Sequence, residues 1–504
     1  MKKTISIILL LAMAVSLFGC GTKTAKKQDV QNQAVTTPTE QQGQIVEDTP
    51  AAEQTGFRVG YCKVNITPEE RVGLGGYSNT KFRTMETIGD DMYATAVAFT
   101  DENDNTVIMI NTDLLRSYQN YNPATQQRIS EATGVPAEQI IITCNHSHSV
   151  PDLNYADPAT ERYKTMVYDR ITNAAIAAME DRKTATLSTG SIEAEGLNFV
   201  RHYWAENIYT GERVMLTDNF GDATNTKYVG HAKDADPTLH MIRIAREGEK
   251  DILFTNWRAH PHWTGGTTKY VLSSDFIGPY RESLEAMTGA DVVYFQGAAG
   301  NINEKSRINT ENKSTDYRAH GHFLAEYAYE CYQNNLKAAE TGDIKFTQIN
   351  FQGTQREKPD YELLIQAKQV GALWSQTGSS STALAGVDRK VIHSVYHASA
   401  IQGHYTRTEE DCKMLISAVS IGDSIGFVTF PGEAYDTIAE YVEENSPYDF
   451  NIFLGYAVQH LGYLPNEAAW EYGCYEVDIT RWAKGFDRTI QEQYVTMLDE
   501  LYNA

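Results

Sequence analysis

Residues 138–152, EQIIITCNHSHSVPD, join a short apolar run to a polar segment that carries two histidines one residue apart. Three isoleucines followed by Thr143 predict a β-strand that ends near this point. An extended backbone that opens into a loop can direct His146 towards a metal ion and leave His148 beside it, as a second ligand or as a group that handles protons. Two histidines that merely form hydrogen bonds within a loop would show the same pattern. The stretch therefore predicts a strand followed by a candidate metal-binding loop.

Other parts of the chain repeat this pattern of apolar runs that stop at polar turns. TAVAFT (residues 95–100) and TVIMINT (residues 106–112) flank the polar turn DENDN and predict a β-hairpin. Four more apolar runs each end just before polar residues and glycines, at residues 251–257, 290–295, 424–430 and 451–456. The pattern predicts strands whose ends converge on one site.

Two segments have the spacing of amphipathic helices. The first carries an apolar stripe of Tyr163, Val167, Ile171, Ala174 and Ala178. The second closes the sequence, and its apolar side chains are Trp482, Phe486, Ile490, Tyr494, Met497 and Leu501. Strands that alternate with such helices predict an α/β fold of mixed β-sheets flanked by helices.

Residues 1–56 differ in composition from the rest of the chain. Two lysines, an apolar run, Gly19 and Cys20 predict a signal peptide over residues 1–19. The sequence LFGC resembles the lipobox of bacterial lipoproteins, so we expect a lipid on the Cys20 thiol and a protein held outside the cytoplasm at a bacterial cell membrane. Residues 20–56 predict a disordered linker rich in Gln, Thr, Lys, Pro and Ala, which leaves one domain over residues 57–504.

Charge and cysteine content exclude some classes of partner. The formal net charge is −23 and basic clusters are few, which argues against a nucleic-acid surface because phosphate binding needs Lys and Arg. The cysteines other than Cys20 are odd in number and irregular in spacing, and they predict neither a zinc ribbon nor a disulfide framework.

Three later motifs could contribute to a site built around His146. In NWRAHPHWTGG (residues 256–266), Pro261 restrains His260, and either His260 or His262 could complete a metal site. In TFPGEAYDT (residues 429–437), Glu433 follows a strand at the predicted start of a helix near Ala434. There its carboxylate could ligate a metal, or it could simply interact favourably with the helix dipole. The loop QGAAGNINE (residues 296–304) could stabilise an oxyanion through backbone N–H groups.

The remaining histidines are assigned no role. His320 and His322 lie two residues apart in a predicted helix, where they point to different faces. The others lack ligand-like neighbours in the sequence, and they are His393, His397, His404 and His460.

Taken in order, these motifs resemble those of the neutral, non-lysosomal ceramidases, a family of zinc-dependent amidases. VGYCKVNITPEERVGLGGYSN (residues 59–79) is similar to the family's glycine-rich N-terminal motif, and TCNHSHSVPD is similar to its THTHSGPGG. NWRAHP with SSDFIG, then GAAGNIN, FPGE and GYLPNEAAWEYGCYE match its later motifs in the same order, up to residue 476. The resemblance implies the catalytic domain of that family.

The resemblance also implies a role for each matched residue. The matched zinc ligands are His146, His260, Glu433 and Tyr463. The matched catalytic residues are His148, which handles protons, and Arg201 and Tyr475, which stabilise the oxyanion, while Asn303 takes a substrate-contacting position. The implied function is a Zn2+-dependent hydrolase that uses activated water to cleave the amide bond of an N-acylated substrate, first of all a ceramide-like lipid.

Two departures from the family pattern leave other substrates open. Asn303 replaces the serine of the family's GDVSP loop, and an amide cannot act as a nucleophile. The characterised ceramidases continue into a C-terminal β-sandwich, whereas this sequence ends after the predicted closing helix. The alternatives are a related zinc hydrolase acting on a non-sphingolipid amide or ester, and a ligand-binding lipoprotein without catalysis. A β/α-barrel is disfavoured, since residues 204–236 break the rhythm of eight regular units.

Overall fold

A computed structural model describes residues 56–77, 80–217, 224–265, 268–306, 308 and 314–504 of the chain. The predicted signal peptide, Cys20 and the predicted linker up to residue 55 lie outside these residues.

Strands and helices alternate along the described chain. The strands are β1 (Arg58–Asn65), β2 (Thr87–Ile88), β3 (Tyr93–Thr100), β4 (Thr106–Thr112), β5 (Ile140–Cys144), β6 (Lys183–Glu193), β7 (Phe199–Val200), β8 (Tyr203–Asn207), β9 (Arg213–Leu216), β10 (Thr226–His231), β11 (Thr238–Arg246), β12 (Ile252–Trp257), β13 (Val271–Leu272), β14 (Asp291–Gln296), β15 (Ile302–Asn303), β16 (Lys337–Ala339), β17 (Ile344–Gln352), β18 (Lys413–Ile421), β19 (Ile425–Thr429), β20 (Glu433–Ala434), β21 (Phe450–Leu454) and β22 (Tyr463–Leu464). The helices are α1 (Asn122–Thr133), α2 (Pro158–Glu180), α3 (Ile277–Thr288), α4 (Tyr317–Asn334), α5 (Tyr361–Thr377), α6 (Ser380–Ala383), α7 (Val395–Thr406), α8 (Asp436–Asn445), α9 (Glu467–Tyr472), α10 (Tyr475–Ile479) and α11 (Phe486–Tyr502).

Most of the longer strands belong to two sheets. The larger sheet has the order β14-β12-β11-β6-β1-β3-β4-β5, with β16 paired to β6. The smaller sheet has the order β17-β18-β19-β21. Within these two sheets most neighbouring strands are antiparallel, but three pairs are parallel: β4 with β5, β12 with β14, and β19 with β21. The loops after these parallel pairs carry the motifs singled out in the sequence.

The two sheets pack face to face, and helices cover their outer faces. Val97 and Phe99 of β3 join a core cluster shared with β19 and β21, whereas Ala94, Ala96 and Ala98 pack in the cluster of α1 and α2. Helices α3 and α4 cover the other half of the larger sheet, and α8 and α11 cover the smaller sheet. Because both faces of each sheet are buried, their central strands are almost continuously apolar. The expected α/β fold of mixed sheets flanked by helices is confirmed.

Most elements predicted from the sequence are confirmed. Strands β3 and β4 form the expected hairpin, with Thr100 opposite Thr106. The whole predicted stripe of α2 is buried, and the four further apolar runs contain β12, β14, β19 and β21. His320 is buried in α4 and the side chain of His322 is 52% exposed, so the two histidines do point to different faces.

Two local predictions are wrong. Trp482 is buried but precedes the closing helix, which begins at Phe486 after Gly485 adopts a left-handed φ of 83°. Glu433 does not start a helix, because it lies in the short strand β20, and α8 begins at Asp436.

Two further properties concern the cysteines and the helices. Cys62, Cys144, Cys331, Cys412 and Cys474 are all free thiols. Within the part of the chain that is described, no helix has the length and apolar character needed to cross a bilayer.

Candidate functional site

The predicted metal ligands lie beyond the carboxyl ends of strands that belong to parallel pairs. His146 follows β5, His260 follows β12, Glu433 follows β19 and Tyr463 follows β21. Carboxyl ends of neighbouring parallel strands meet at one edge of a sheet, so loops that are distant in sequence come together there. The short strands β20 and β22 pair in parallel and place Glu433 directly beside Tyr463.

Two of these histidines are each held with one ring nitrogen facing the other ligands. His146 Nδ1 lies 2.5 Å from the carbonyl oxygen of Leu115, and His260 Nδ1 lies 2.6 Å from that of Ala299. Because a carbonyl oxygen can only accept a hydrogen bond, each Nδ1 carries the ring proton and each Nε2 presents a lone pair. Burial and the nearby Arg201 lower the pKa of His260 to about 4, which keeps that imidazole neutral. Hydrogen bonds of this kind orient metal-binding imidazoles.

Glu433 lies between the two inward-facing nitrogens. Its Oε2 is 3.3 Å from His146 Nε2 and 3.1 Å from His260 Nε2. The hydroxyl of Tyr463 lies 3.4 Å from His260 Nε2. The lone pairs of the two Nε2 atoms therefore face a buried carboxylate, an arrangement that a cation between them would stabilise. The nitrogen and oxygen donors of this set suit zinc.

The backbone at His146 is strained. Its φ is 64°, in the left-handed region, which costs a residue with a side chain about 1 kcal/mol or more. Its N–H donates to the carbonyl of Leu114 over 3.1 Å, so the conformation is fixed by the chain before β5. Strained residues of this kind cluster at binding and catalytic sites.

His148 lies between this set of ligands and a cavity. Its Nε2 is 3.2 Å from His146 Nε2, and its Nδ1 is buried without a hydrogen-bond partner among the described residues. Its backbone is held by the carbonyl of Pro261 at 3.0 Å and by the guanidinium of Arg83 at 2.7 Å, and a Cβ at Gly76 would overlap its side chain. Burial and the neighbouring imidazoles, His146 foremost, lower its pKa well below the usual value. His148 is therefore a neutral base next to the ligands.

Arg201 and Tyr475 lie next to the predicted ligand Tyr463. Arg201 Nε donates to Glu476 Oε1 over 2.6 Å, and its guanidinium lies 5.4 Å over the ring of Tyr463. Glu476 is also 3.0 Å from His202 Nε2; burial alone would raise the pKa of Glu476, but Arg201 and His202 lower it. The ring of Tyr475 lies 5.8 Å from that of Tyr463, and burial raises the pKa of Tyr475 so that it keeps its proton.

A cavity of about 530 Å³ adjoins these residues. His148, Arg201, Asn303, Tyr463 and Tyr475 line its wall. The other three predicted ligands are buried next to that wall, and they are His146, His260 and Glu433. The structure thus brings every predicted metal, catalytic and substrate-contacting residue to one place, and their roles as ligands and catalysts remain predictions.

His460 was assigned no role, and the structure places it at this site. Its Nε2 is 3.4 Å from Glu433 Oε1, and its ring stacks on that of His146 at 5.9 Å. Burial and Arg116 lower its pKa to about 3. The signal in the sequence was its place three residues before Tyr463, in the loop after an apolar run.

Two other groups of histidines also have ligand-like neighbours that the sequence did not indicate. His262 Nδ1 is 2.9 Å from Glu304 Oε1, and the His262 ring is 5.6 Å from that of His148. His393 Nδ1 is 2.6 Å from Asp478 Oδ2, and His397 stacks on His393 at 5.0 Å. His262 lines the cavity, whereas the second group ties the start of α7 to α10.

The fold and the site define an α/β protein with a candidate metal centre beside a cavity. No family model matches the sequence, and no curated protein matches it. The solved neutral ceramidase from Pseudomonas aeruginosa superposes with a TM-score of 0.64 at 18% identity, over 90% of this chain and 75% of that one. A structure of ceramidase complexed with C2 gives a TM-score of 0.66 at 16% identity, over 89% of this chain and 76% of that one. The protein has the neutral ceramidase fold, as its motifs predicted.

Proposed function

We propose that this protein is a zinc-dependent hydrolase that cleaves the amide bond of an N-acylated substrate. The observation that carries the proposal is the set of inward-facing donor atoms from His146, His260, Glu433 and Tyr463 beside the base His148. The likeness of fold to two solved ceramidases supports an amide as the bond that is cleaved.

The proposed reaction uses His148 as the proton carrier. When bound, zinc supplies a positive centre that lowers the pKa of a water molecule and polarises the substrate carbonyl. His148 Nε2 faces the ligands, so it takes a proton from the attacking water and returns it to the departing nitrogen. The carbon–nitrogen bond breaks, the acyl group leaves as a carboxylate, and the other product is an amine.

Arg201 and Tyr475 stabilise the charge that develops on the carbonyl oxygen. Glu476 fixes the guanidinium of Arg201, and Tyr475 keeps a hydroxyl proton to donate. Donors that are already in place where charge develops lower the barrier without reorganisation. Asn303 lies on the same cavity wall, where its amide offers both a donor and an acceptor to the substrate.

Metal analysis of the purified full-length chain tests the centre. We expect about one zinc per chain in the wild type, and its loss in His146→Ala and in His260→Ala. His322→Ala is the matched control, because it removes an exposed imidazole from α4 and should keep the metal. Circular dichroism establishes that each variant is folded. A wild-type protein that cannot be loaded with zinc would refute the proposal, and a zinc-loaded protein that cleaves no amide would reduce it to metal binding.

We also propose that a lipid on Cys20 anchors the protein outside the cytoplasm. The sequence LFGC after an apolar run supports this location. Cys20→Ser should abolish labelling of the chain by an alkyne fatty acid and shift it from the membrane fraction to the soluble fraction. Labelling that persists in the variant would contradict lipidation at this residue.

A further inference from the structure

We propose that the cavity accepts a hydroxyl-rich, sugar-like N-acyl compound with a short acyl group, instead of a lipid with two alkyl chains. The inference rests on the proposed function for the bond that is cleaved. It adds the chemical class of the groups on either side of that bond.

Every side chain on the described part of the cavity wall carries a polar or charged group. Its aromatic side chains are all tyrosines, namely Tyr77, Tyr203, Tyr396, Tyr463 and Tyr475. Its other side chains are charged groups, imidazoles, an amide and hydroxyls, and no aliphatic side chain is among the described lining residues. Small-molecule sites are usually lined by apolar side chains with a few polar groups that fix orientation. The departure from that composition indicates an unusually polar ligand.

Alkyl chains match this wall poorly. Burial of a methylene chain is favourable when the wall is apolar as well. Against Thr217, Asn303 and Ser306 the chain would remove water from polar groups and return no hydrogen bond. A tyrosine suits a sugar better, because its ring covers the apolar face of the sugar while its hydroxyl forms hydrogen bonds at the edge.

The strongest indication of a polar ligand comes from Thr217. The residue is 8% exposed, and its hydroxyl has no hydrogen-bond partner within the described chain. Buried hydroxyls are nearly always paired, since an unpaired one is costly. Thr217 follows β9, whose Leu216 pairs with Tyr203 of β8, so the hydroxyl and the tyrosine approach the cavity from adjacent strands. A hydroxyl group of a bound sugar would complete the hydrogen bonding of Thr217.

Polar groups on the same wall are held in fixed positions, and Glu304 holds His262 from behind the wall. Glu304 is fully buried, and its Oε2 lies 2.7 Å from His262 Nδ1. Lys305 lies over Trp263 with its Nζ 3.9 Å from the ring centroid. Because the His262 ring is next to that of His148, a group that bonds to His262 lies beside the scissile amide. Such preorganised polar groups favour a ligand with several hydrogen-bonding atoms near the reacting bond.

The test compares amides that combine two kinds of amine with two acyl groups. The amines are hexosamines (glucosamine and galactosamine) and sphingosine, and the acyl groups are acetyl and palmitoyl. The full-length, zinc-loaded protein is assayed in one detergent for release of the amine. We expect kcat/KM for at least one N-acetylhexosamine to exceed that of both sphingosine amides by about tenfold or more, the size of discrimination that one or two buried hydrogen bonds supply.

The possible outcomes separate this inference from the proposed function. If sphingosine amides are cleaved equally well or better, the substrate class is wrong and the hydrolase proposal stands. If no amide is cleaved, the hydrolase proposal fails, and calorimetry with N-acetylhexosamines decides the ligand class. In the calorimetry we expect Thr217→Val, which keeps the side-chain shape, to raise the Kd for the N-acetylhexosamine by about 3- to 10-fold.

The control for the calorimetry is Thr165→Val, which removes an exposed hydroxyl of α2 that bonds within its own helix to the carbonyl of Glu161. This control should bind as the wild type does. Absence of binding by the wild-type protein, or equal Kd values in Thr217→Val and wild type, would overturn the inference.

Discussion

His148 differs from His146 and His260 in what its Nδ1 atom contacts. The two predicted ligands donate from Nδ1 to backbone carbonyls, whereas His148 Nδ1 has no partner among the described residues. Metal-bound imidazoles almost always have that second hydrogen bond. His148 is therefore free to change its protonation state, which is the property that a proton carrier needs. The sequence had left open whether His148 is a second ligand, and this contrast favours proton transfer.

We predict that His148→Gln lowers kcat by about 10²- to 10⁴-fold, because general acid–base catalysis is lost. The zinc content should stay at the wild-type level, since the ligands are elsewhere. The measurement is kcat per bound zinc, with metal content determined on the same samples. Loss of zinc together with activity would identify His148 as a ligand instead.

At the scale of elements, α10 connects the cavity to the helices packed beside it. It carries Tyr475 and Glu476 on the cavity wall and Asp478 two residues further on. His393, just before α7, lies 2.6 Å from Asp478, and His397 lies 3.7 Å from the same oxygen. The pair of His393 with Asp478 therefore helps to fix the short helix from which Tyr475 enters the site.

This pair predicts a pH dependence of stability. The hydrogen bond to Asp478 raises the pKa of His393, so the folded protein holds that proton more tightly than the unfolded chain. The stabilisation is fully present below the unfolded pKa of about 6.5 and is lost as the pH rises through the folded pKa. His393→Gln should lower the free energy of unfolding more at low pH than at high pH. The difference should be about 1 kcal/mol or less, because solvent screens a half-buried pair.

Urea unfolding of wild type and His393→Gln at about pH 5.5 and about pH 8.5 measures this difference. Thr165→Val, at an exposed position of α2 that does not titrate, is the control and should lower the free energy of unfolding by nearly the same amount at both pH values. An equal cost of His393→Gln at the two values would show that the pair carries no charge.

The elements that the sequence predicted are those with a strong local pattern. Strands such as β12 and β19 lie between two covered faces, so burial makes their sequences continuously apolar and easy to recognise. Strand β20 exists only because it pairs with β22, and its two residues contain no strand pattern, so the sequence predicts the start of a helix at Glu433 instead. Local periodicity therefore predicts long elements and misses those formed by tertiary pairing.

The same reasoning explains why His460 was missed. Tyr456 and Val458 adopt left-handed φ values of 55° and 61°, which bring the following loop back to Glu433. A valine disfavours that conformation, so nothing local in the sequence indicates the turn. The motif resemblance supplied the other members of the site, because the order of separate motifs carries information that a single histidine does not.

At the scale of the whole molecule, the candidate centre joins the two sheets. His146 and His260 follow strands of the larger sheet, and Glu433 and Tyr463 follow strands of the smaller one. A bound ion would hold the ends of both sheets together and would bind only the folded chain. Binding of such an ion would therefore be coupled to global stability.

We predict that free zinc at about 100 times its Kd raises the free energy of unfolding by about 2.7 kcal/mol. A chelator should lower Tm of the wild type, and His146→Ala should respond to neither zinc nor chelator. Thermal unfolding with and without zinc measures the effect, with His322→Ala as the control that should respond as the wild type does. A wild-type Tm that is independent of zinc would contradict the coupling.

The spacing of the predicted ligands along the chain determines the stage of folding at which an ion could bind. His260 is 173 residues from Glu433 and 203 residues from Tyr463, so long loops must close before the donor atoms meet. Closing such loops costs entropy, which the packing of the two sheets has to offset first. The ion cannot serve as a nucleus around which the chain folds. Metal binding should instead be the last step of folding, because a partly folded chain does not bring the donor atoms together. Metal-loaded protein should therefore be fully folded.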